Sequence, residues 1–285
     1  VIPDFATIDG FYNQAKNTQC EKTILILQDP AKLDRESKTL ASKYGIEIWS
    51  SIELMSKASL SEADLQQAKE TLDAVATPTL IRALPQLARQ VIPTDISKAI
   101  NDPQRKAWEV FEDAVYASFQ SCLNYKVRKL GRDSRFQSEP EGVVVTSGLP
   151  AERFAFIYDC KSSQNKYAVD SKDESTFVKY IQEKKSEVLA IDKCELKYFV
   201  IIGPRFGGDM MQRRQYILEK TQVITVYLTA SALKSLAEWA LKINDPDLKQ
   251  LIDLREIFKL SEPEVNERAV ASYIEEFDAK NRTRY

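Results

Sequence analysis

Short runs of β-branched and aromatic residues, separated by longer amphipathic stretches, constrain this chain more than any other feature. They fall at residues 23–27 (TILIL), 46–49, 143–145, 154–158, 197–202 (KYFVII) and 223–228. Each has the length of a strand and is too short for an independent helix. Between them the apolar residues recur at spacings of three and four, the period of a helix with one buried face. One helix is expected from about Ala31 to Lys43, with Leu33, Leu40 and Ala41 inward and Gly45 at its end. Ser61 and Asp64 open another, carrying Leu65, Ala68, Leu72 and Val75 on one face. A strong helix begins at Asp102-Pro103, with Trp108, Phe111, Val115 and Phe119 as its core face. Further helices are expected from Ser175 to Val188, around Arg213 and Arg214, and from a Thr229 cap through Leu241. The tail is also helical, with a Ser261/Glu264 capping pattern ahead of Val270, Tyr273, Ile274 and Phe277. Strands that alternate with helices make an α/β fold, a mixed β-sheet flanked by helices.

Two domains are expected. Residues 1–95 read as a smaller N-terminal βαβ segment followed by a helical linker containing Pro78, Pro85 and Pro93. Residues 96–285 read as the main domain with its helical tail. The strand–helix–strand–helix order near the N-terminus weakly repeats that of residues 197–241. The N-terminal segment is therefore either half of a second, related fold or a generic βαβ unit. Val1 in place of an initiator methionine reads as a fragment or a processed form.

Composition removes much chemistry. The chain has 285 residues and no histidine. That excludes Ser-His-Asp and Cys-His nucleophilic catalysis and HExxH metalloproteases. Four cysteines, Cys20, Cys122, Cys160 and Cys194, lie far apart without a CxxC pair, which argues against a zinc site or a disulfide framework and for a reducing, cytoplasmic setting. No run approaches the roughly 18 apolar residues of a membrane span. A net charge of −2 hides basic stretches, so an anionic partner is compatible with it. Hydrolysis in such a chain must run on carboxylates, lysine and a hard cation.

One stretch supplies those groups. Val143–Val145 and Phe154–Tyr158 form a hairpin around a turn with Gly148 and Pro150, and the flanking residues are Glu141 and then Asp159-Cys160-Lys161. Glu141 and Asp159 can ligate Mg²⁺, with the Cys160 backbone carbonyl as a third ligand and Mn²⁺ as a substitute ion. Lys161 lies two residues past Asp159, hence on the same face of the strand, where an ammonium can orient water and offset charge on a phosphate. Glu112, on the preceding helix, can reach a metal-bound water or a second ion. Cys160 itself points to the core as a small hydrophobe. The basic stretch 126–135 reads as a loop offering Lys126, Arg128, Lys129, Arg132 and Arg135 to DNA phosphates, with Arg205 in the glycine loop 203–208 as a further contact. A solvated charged loop is the competing reading. The glycine loop is not a P-loop, because it lacks the GK[ST] ending. Asp170, Asp173 and Glu174 read as a solvated helix start.

Pro140-Glu141-Gly142 followed by Asp159-Cys160-Lys161 resembles the PD-(D/E)XK restriction-endonuclease-like nucleases, and in particular the FokI-type cleavage domains of type IIS restriction endonucleases. The resemblance covers about residues 100–270. It extends to Leu130-Gly131, Glu112 as helix acid, Tyr167, Tyr180, strand 199–202 with its glycine loop, and the 260–265 helix start. It implies a Mg²⁺-dependent DNA endonuclease in which water attacks in line and leaves 5′-phosphate and 3′-hydroxyl ends. It also implies double-stranded DNA as partner, and a second copy engaged through the nuclease domain. Two positions depart from the close relatives: Glu141 stands where aspartate is usual, and Ser175 and Lys179 stand where the pairing helix carries Asp and Arg. A non-cleaving DNA-binding or assembly subunit that keeps the fold is the second reading.

Overall fold

Strands whose side chains are apolar on both faces must be covered on both, and four such strands form the centre of this protein. In the computed structural model the described residues are 24–27, 35–44, 46–50, 77–100, 104–130, 139–147, 153–260 and 263–281. The chain divides into two compact units, Val1–Leu72 and Asp73–Tyr285.

In the first unit β1 (Ile24–Leu27) and β2 (Glu47–Ser50) pair in parallel, as a βαβ unit requires, with α1 (Arg35–Lys43) between them in sequence. Among the described residues Leu40, Ala41 and Ile46 form its buried cluster, with Tyr44 and Ile48 packed against them. The helix expected after Ser61 lies outside the described residues.

The second unit opens with α2 (residues 77–88) and α3 (Thr94–Ile100). Ile81, Leu84, Leu87, Ala88 and Ile96 enter the same apolar cluster as the central sheet, so this unit begins at 73, ahead of the expected boundary at 95. Then follow α4 (Ala107–Ala117), a π-helical turn (Ser118–Cys122), β3 (Lys126–Lys129), β4 (Gly142–Val145), β5 (Ala155–Cys160), β6 (Tyr167–Ala168) and α5 (Ser171–Asp192). The chain continues through β7 (Leu196–Gly203), β8 (Phe206–Gly207), α6 (Met210–Thr221), β9 (Ile224–Thr229) and α7 (Ala230–Lys242). It ends with α8 (Pro246–Gln250), α9 (Leu254–Lys259) and α10 (Glu267–Asn281).

The main sheet has the order β3-β4-β5-β7-β9, antiparallel across its first three strands and parallel across its last three. Its pleat separates two cores. Even-numbered residues of β4 and β5, such as Val144, Phe156 and Tyr158, face α4, α7, α9 and α10. Odd-numbered ones, such as Val143, Val145 and Ile157, face Phe177 and Ile181 of α5 and Ile217 of α6. The helix caps follow from residue chemistry: the Thr229 hydroxyl accepts from Ala232 N–H at 3.1 Å, and the Asp170 carboxylate accepts from Asp173 N–H at 2.8 Å.

Two expectations change here. Trp108 is 45% exposed, because it sits in the first turn of α4, ahead of the buried stripe Val110, Phe111, Ala114 and Val115. The π-helical turn then breaks the 3.6-residue period and lets Phe119, Cys122 and Leu123 all turn inward. The basic stretch from Lys126 is a strand over its first four residues and not a loop. Its backbone completes a ladder with β4, and that hydrogen bonding decides the conformation over the charge pattern.

Candidate active site

Strand register brings Glu141, Asp159 and Lys161 together. The β4–β5 register ends with Gly142 opposite Tyr158, and Glu141 and Asp159 are the next residues of their two segments at that end of the hairpin. Lys161, two residues past Asp159, returns to the same face as it. The backbone N–H of Cys160 donates to Oε2 of Glu141 at 2.8 Å, and Nζ of Lys161 stands 2.7 Å from Oδ2 of Asp159. The main chain is held as well. Glu141 N–H donates to Tyr158 O at 3.1 Å, Leu130 N–H donates to Glu141 O at 3.0 Å, and Lys161 N–H donates to Ile202 O at 2.8 Å. Gly142 is required by this close approach: a Cβ there would stand 2.7 Å from Cε1 of Tyr158 and 2.9 Å from the Arg128 carbonyl oxygen.

The site carries an excess of buried negative charge. Burial pushes the Glu141 carboxyl well above the usual range, and the charges of Asp159 and Glu112 push it further, against the pull of Lys161 and the Cys160 N–H. Asp159, 1% exposed, is raised by burial against the opposing Lys161. No aligned hydrogen-bond donor meets Oδ2 of Asp159, although the ammonium lies at ion-pair distance. Distance governs a charge–charge attraction, so the pair is formed. Burial alone would lower the Lys161 pKa, but Asp159 and Glu141 more than reverse this and keep it protonated.

Glu112 belongs to α4, which packs on the even-numbered face, whereas Asp159 and Lys161 project from the odd-numbered one. Its charge nonetheless acts on Glu141, Tyr158 and Cys160. Cys160 is half-buried against the even-numbered face, and burial, then Glu141 and Glu112, raises its thiol pKa. Asp173 was expected at a solvated helix start. Instead it accepts a hydrogen bond from the Tyr167 hydroxyl, and its charge is felt at both Asp159 and Lys161. Lys161 also stands over the Phe177 ring, 5.3 Å from its centroid. Glu174 is buried and paired with Arg213. Glu174–Arg213 is a long-range contact, and nothing in the local pattern marks it or the Tyr167–Asp173 bond.

Among the described residues no three His, Cys, Asp or Glu side chains form a metal-holding cluster. Two carboxylates and a backbone carbonyl, surrounded by uncompensated negative charge, do suit Mg²⁺, which keeps several waters and takes few protein ligands.

The expected phosphate contacts fare unequally. Lys126 lies 3.1 Å from Asp192, Arg128 pairs with Glu187 at 2.6 Å and Asp192 at 3.2 Å, and Lys129 pairs with Asp113 at 2.8 Å. Arg132 and Arg135 lie outside the described residues, as do Gly148 and Pro150. Arg205 is exposed beside β8, and its carbonyl accepts from Tyr167 N–H at 2.8 Å. Among the described residues no helix is long and apolar enough to cross a membrane.

The family model for the cleavage domain of FokI matches residues 78–262. Two solved structures are similar. Restriction endonuclease FokI shares 16% identity at a TM-score of 0.44, over 53% of this chain and 27% of that one. Restriction endonuclease FokI bound to DNA shares 15% identity at a TM-score of 0.42, over 64% of this chain and 30% of that one. The chain thus spans less than a third of the length of either. No curated protein matches it.

Proposed function

The chain belongs to the FokI cleavage-domain family, and we propose that it is a Mg²⁺-dependent endonuclease hydrolysing DNA phosphodiester bonds. The observation that carries this is the gathering at one end of the hairpin of Glu141, whose carboxylate accepts from Cys160 N–H at 2.8 Å, with Asp159 and, 2.7 Å from it, Lys161. Glu141, Asp159 and the Cys160 carbonyl would hold the cation, and Mn²⁺ would serve in its place. When bound, Mg²⁺ polarises a phosphate and acidifies its water. Lys161, held protonated, orients the attacking water and offsets charge on the pentavalent phosphorus. Glu112 adds negative charge beside Glu141, where it can take a hydrogen bond from water. Arg205, exposed near the end of β7, contacts a DNA phosphate. Lys126, Arg128 and Lys129 serve carboxylates of the protein first, so their share in DNA binding is smaller than their sequence suggests. Double-strand cutting needs two such centres. A second copy engaging through this domain is therefore part of the proposal, and sedimentation of the protein on DNA tests it. A restriction-type role places the protein inside the cell.

The deciding experiment is incubation with supercoiled plasmid in Mg²⁺, in EDTA, and with Asp159→Ala or Lys161→Ala. The unaltered protein nicks or linearises the plasmid only with Mg²⁺, and the variants do not. Equal cutting by the variants would remove these residues from the chemistry. Absence of cutting by the unaltered protein, with DNA still retarded in a gel, would establish the non-cleaving DNA-binding reading instead.

A further inference from the structure

Lys184 occupies a position of α5 that its neighbours give to the core. Phe177, Ile181 and Val188 form the buried stripe of that helix, and residue 184 falls on it, three past Ile181 and four before Val188. It is 8% exposed. An unpaired ammonium there would be costly, so partners are required. Nζ of Lys184 stands 3.2 Å from Oε1 of Glu139 and 2.8 Å from Oε2 of Glu187. The other Glu187 oxygen accepts from Nη1 of Arg128 at 2.6 Å, and Nη2 of Arg128 donates to Asp192 at 3.2 Å. One continuous set of ion pairs therefore ties α5, β3 and the residues leading into β4.

Glu139 gives this set its consequence. It stands two residues before Glu141, with only Pro140 between them. Pro140 is buried, and its ring fixes φ, so few torsions separate the carboxylate that Lys184 holds from the backbone of Glu141. From Glu141 onward the main chain is held by Tyr158 and Leu130, and its carboxylate by the Cys160 N–H. On the other side it is held through Glu139. We propose that Lys184 is a positioning residue: by fixing Glu139 it sets the Glu141 carboxylate against Asp159, and so sets the divalent-cation affinity of the site. This rests on the metal-site reading above. A merely structural ion pair would act differently. Its loss would lower the melting temperature and leave the cation affinity of the folded protein unchanged.

The test compares the unaltered protein with Lys184→Met, which keeps the aliphatic stem, Glu139→Gln, which breaks the same pair from its other end, and Lys184→Arg. Lys259→Met, which breaks the exposed Lys259–Glu256 pair at 2.7 Å, controls for loss of an ion pair elsewhere. Calorimetric titration with Ca²⁺, without DNA, gives Kd for the site that Asp159→Asn abolishes, and a Mg²⁺ titration of plasmid cutting gives the half-saturating concentration. Loss of an outer-shell partner weakens metal binding by about tenfold or more. Lys184→Met and Glu139→Gln should each raise both quantities by about that factor, the double variant no further, and Lys184→Arg should recover most of it. Unchanged Ca²⁺ affinity in folded Lys184→Met would overturn the proposal, as would full additivity of the two changes. If Lys184→Met does not fold, Glu139→Gln decides in the same way. If the unaltered protein binds Ca²⁺ but never cuts, the nuclease reading fails while the Kd comparison still judges Lys184. Absence of Asp159-dependent Ca²⁺ binding would overturn both.

Discussion

Replacing Gly142 with alanine adds one methyl group at the tightest point of the hairpin, and two effects of opposite sign compete. The methyl would stand 2.7 Å from Cε1 and 2.8 Å from Oη of Tyr158, and 2.9 Å from the Arg128 carbonyl oxygen. Relaxed carbon contacts lie at about 3.5–4.0 Å, so the overlap is roughly 1 Å against a neighbouring strand and a packed ring. Neither yields easily. Tyr158 is 1% exposed, with its ring 5.6 Å from that of Phe119, and the Arg128 carbonyl is main chain of β3, paired with β4. Overpacking of this kind costs about 1–3 kcal/mol. Against it stands the smaller entropy of the unfolded chain, which favours alanine by about 0.4–1 kcal/mol. The clash wins, and the expected result for Gly142→Ala is a melting temperature lower by about 2–10 °C. Glu141 is the adjacent residue, and a shift of about 1 Å in a reacting group can cost about a hundredfold in rate. Differential scanning fluorimetry and plasmid cutting at saturating Mg²⁺ measure the two effects. A melting temperature within about 1 °C of the original, with an unchanged rate, would refute the claim that glycine is required for strand approach at the site.

Lys161→Met removes the ammonium paired with Asp159 and should lower the rate of plasmid cutting by about a hundredfold or more at saturating Mg²⁺; a loss under tenfold would deny it a direct role. Burial, then Asp159, raises the Glu141 pKa in the folded protein, so between the ordinary carboxylate value of about 4.3 and the raised one the folded state binds more protons than the unfolded chain. Metal-free stability therefore falls as pH rises through that window, and Glu141→Gln flattens the fall and raises the melting temperature at pH 8; parallel pH profiles for the two proteins would contradict this. Mg²⁺ at a hundred times its Kd should stabilise the unaltered protein by about 2.7 kcal/mol and leave Asp159→Asn unmoved, which thermal melts in Mg²⁺ and EDTA will show.

Much of the main domain was legible because its signals are local. The runs at 143–145, 154–158, 197–202 and 223–228 became β4, β5, β7 and β9, and the two-residue step from Asp159 to Lys161 fixed a shared face. Register did the rest: with Gly142 opposite Tyr158, Glu141 and Asp159 fall at the same end of the hairpin. Long-range pairing was the weaker part. Lys126, Arg128 and Lys129 look like a phosphate-binding loop until the carboxylates Asp192, Glu187 and Asp113, distant in sequence, are brought against them. Asp173 looked solvated until Tyr167 folded back onto it. One long-range signal was present and unread: a lysine at 184 on the stripe of Phe177, Ile181 and Val188 already implies a buried acid.

The pleat of the sheet also explains why the charges of this site cannot cancel one another. Asp159 and Lys161 share the odd-numbered face, Glu112 acts on Glu141 from the helix on the even-numbered face, and Asp173 acts from α5. Four carboxylates thus bear on a centre where, among the described residues, the Lys161 ammonium opposes the rise in pKa of the two central acids. Adding a second lysine would offset more of that charge and weaken the attraction for a divalent ion. Leaving the acids alone makes the metal-free fold lose stability as pH rises, because burial opposes ionisation of Glu141. On the proposed metal reading, cation binding and folding are linked through the same two residues, and a substitution that stabilises the empty site, as Glu141→Gln is expected to, should do so by removing what would hold the ion.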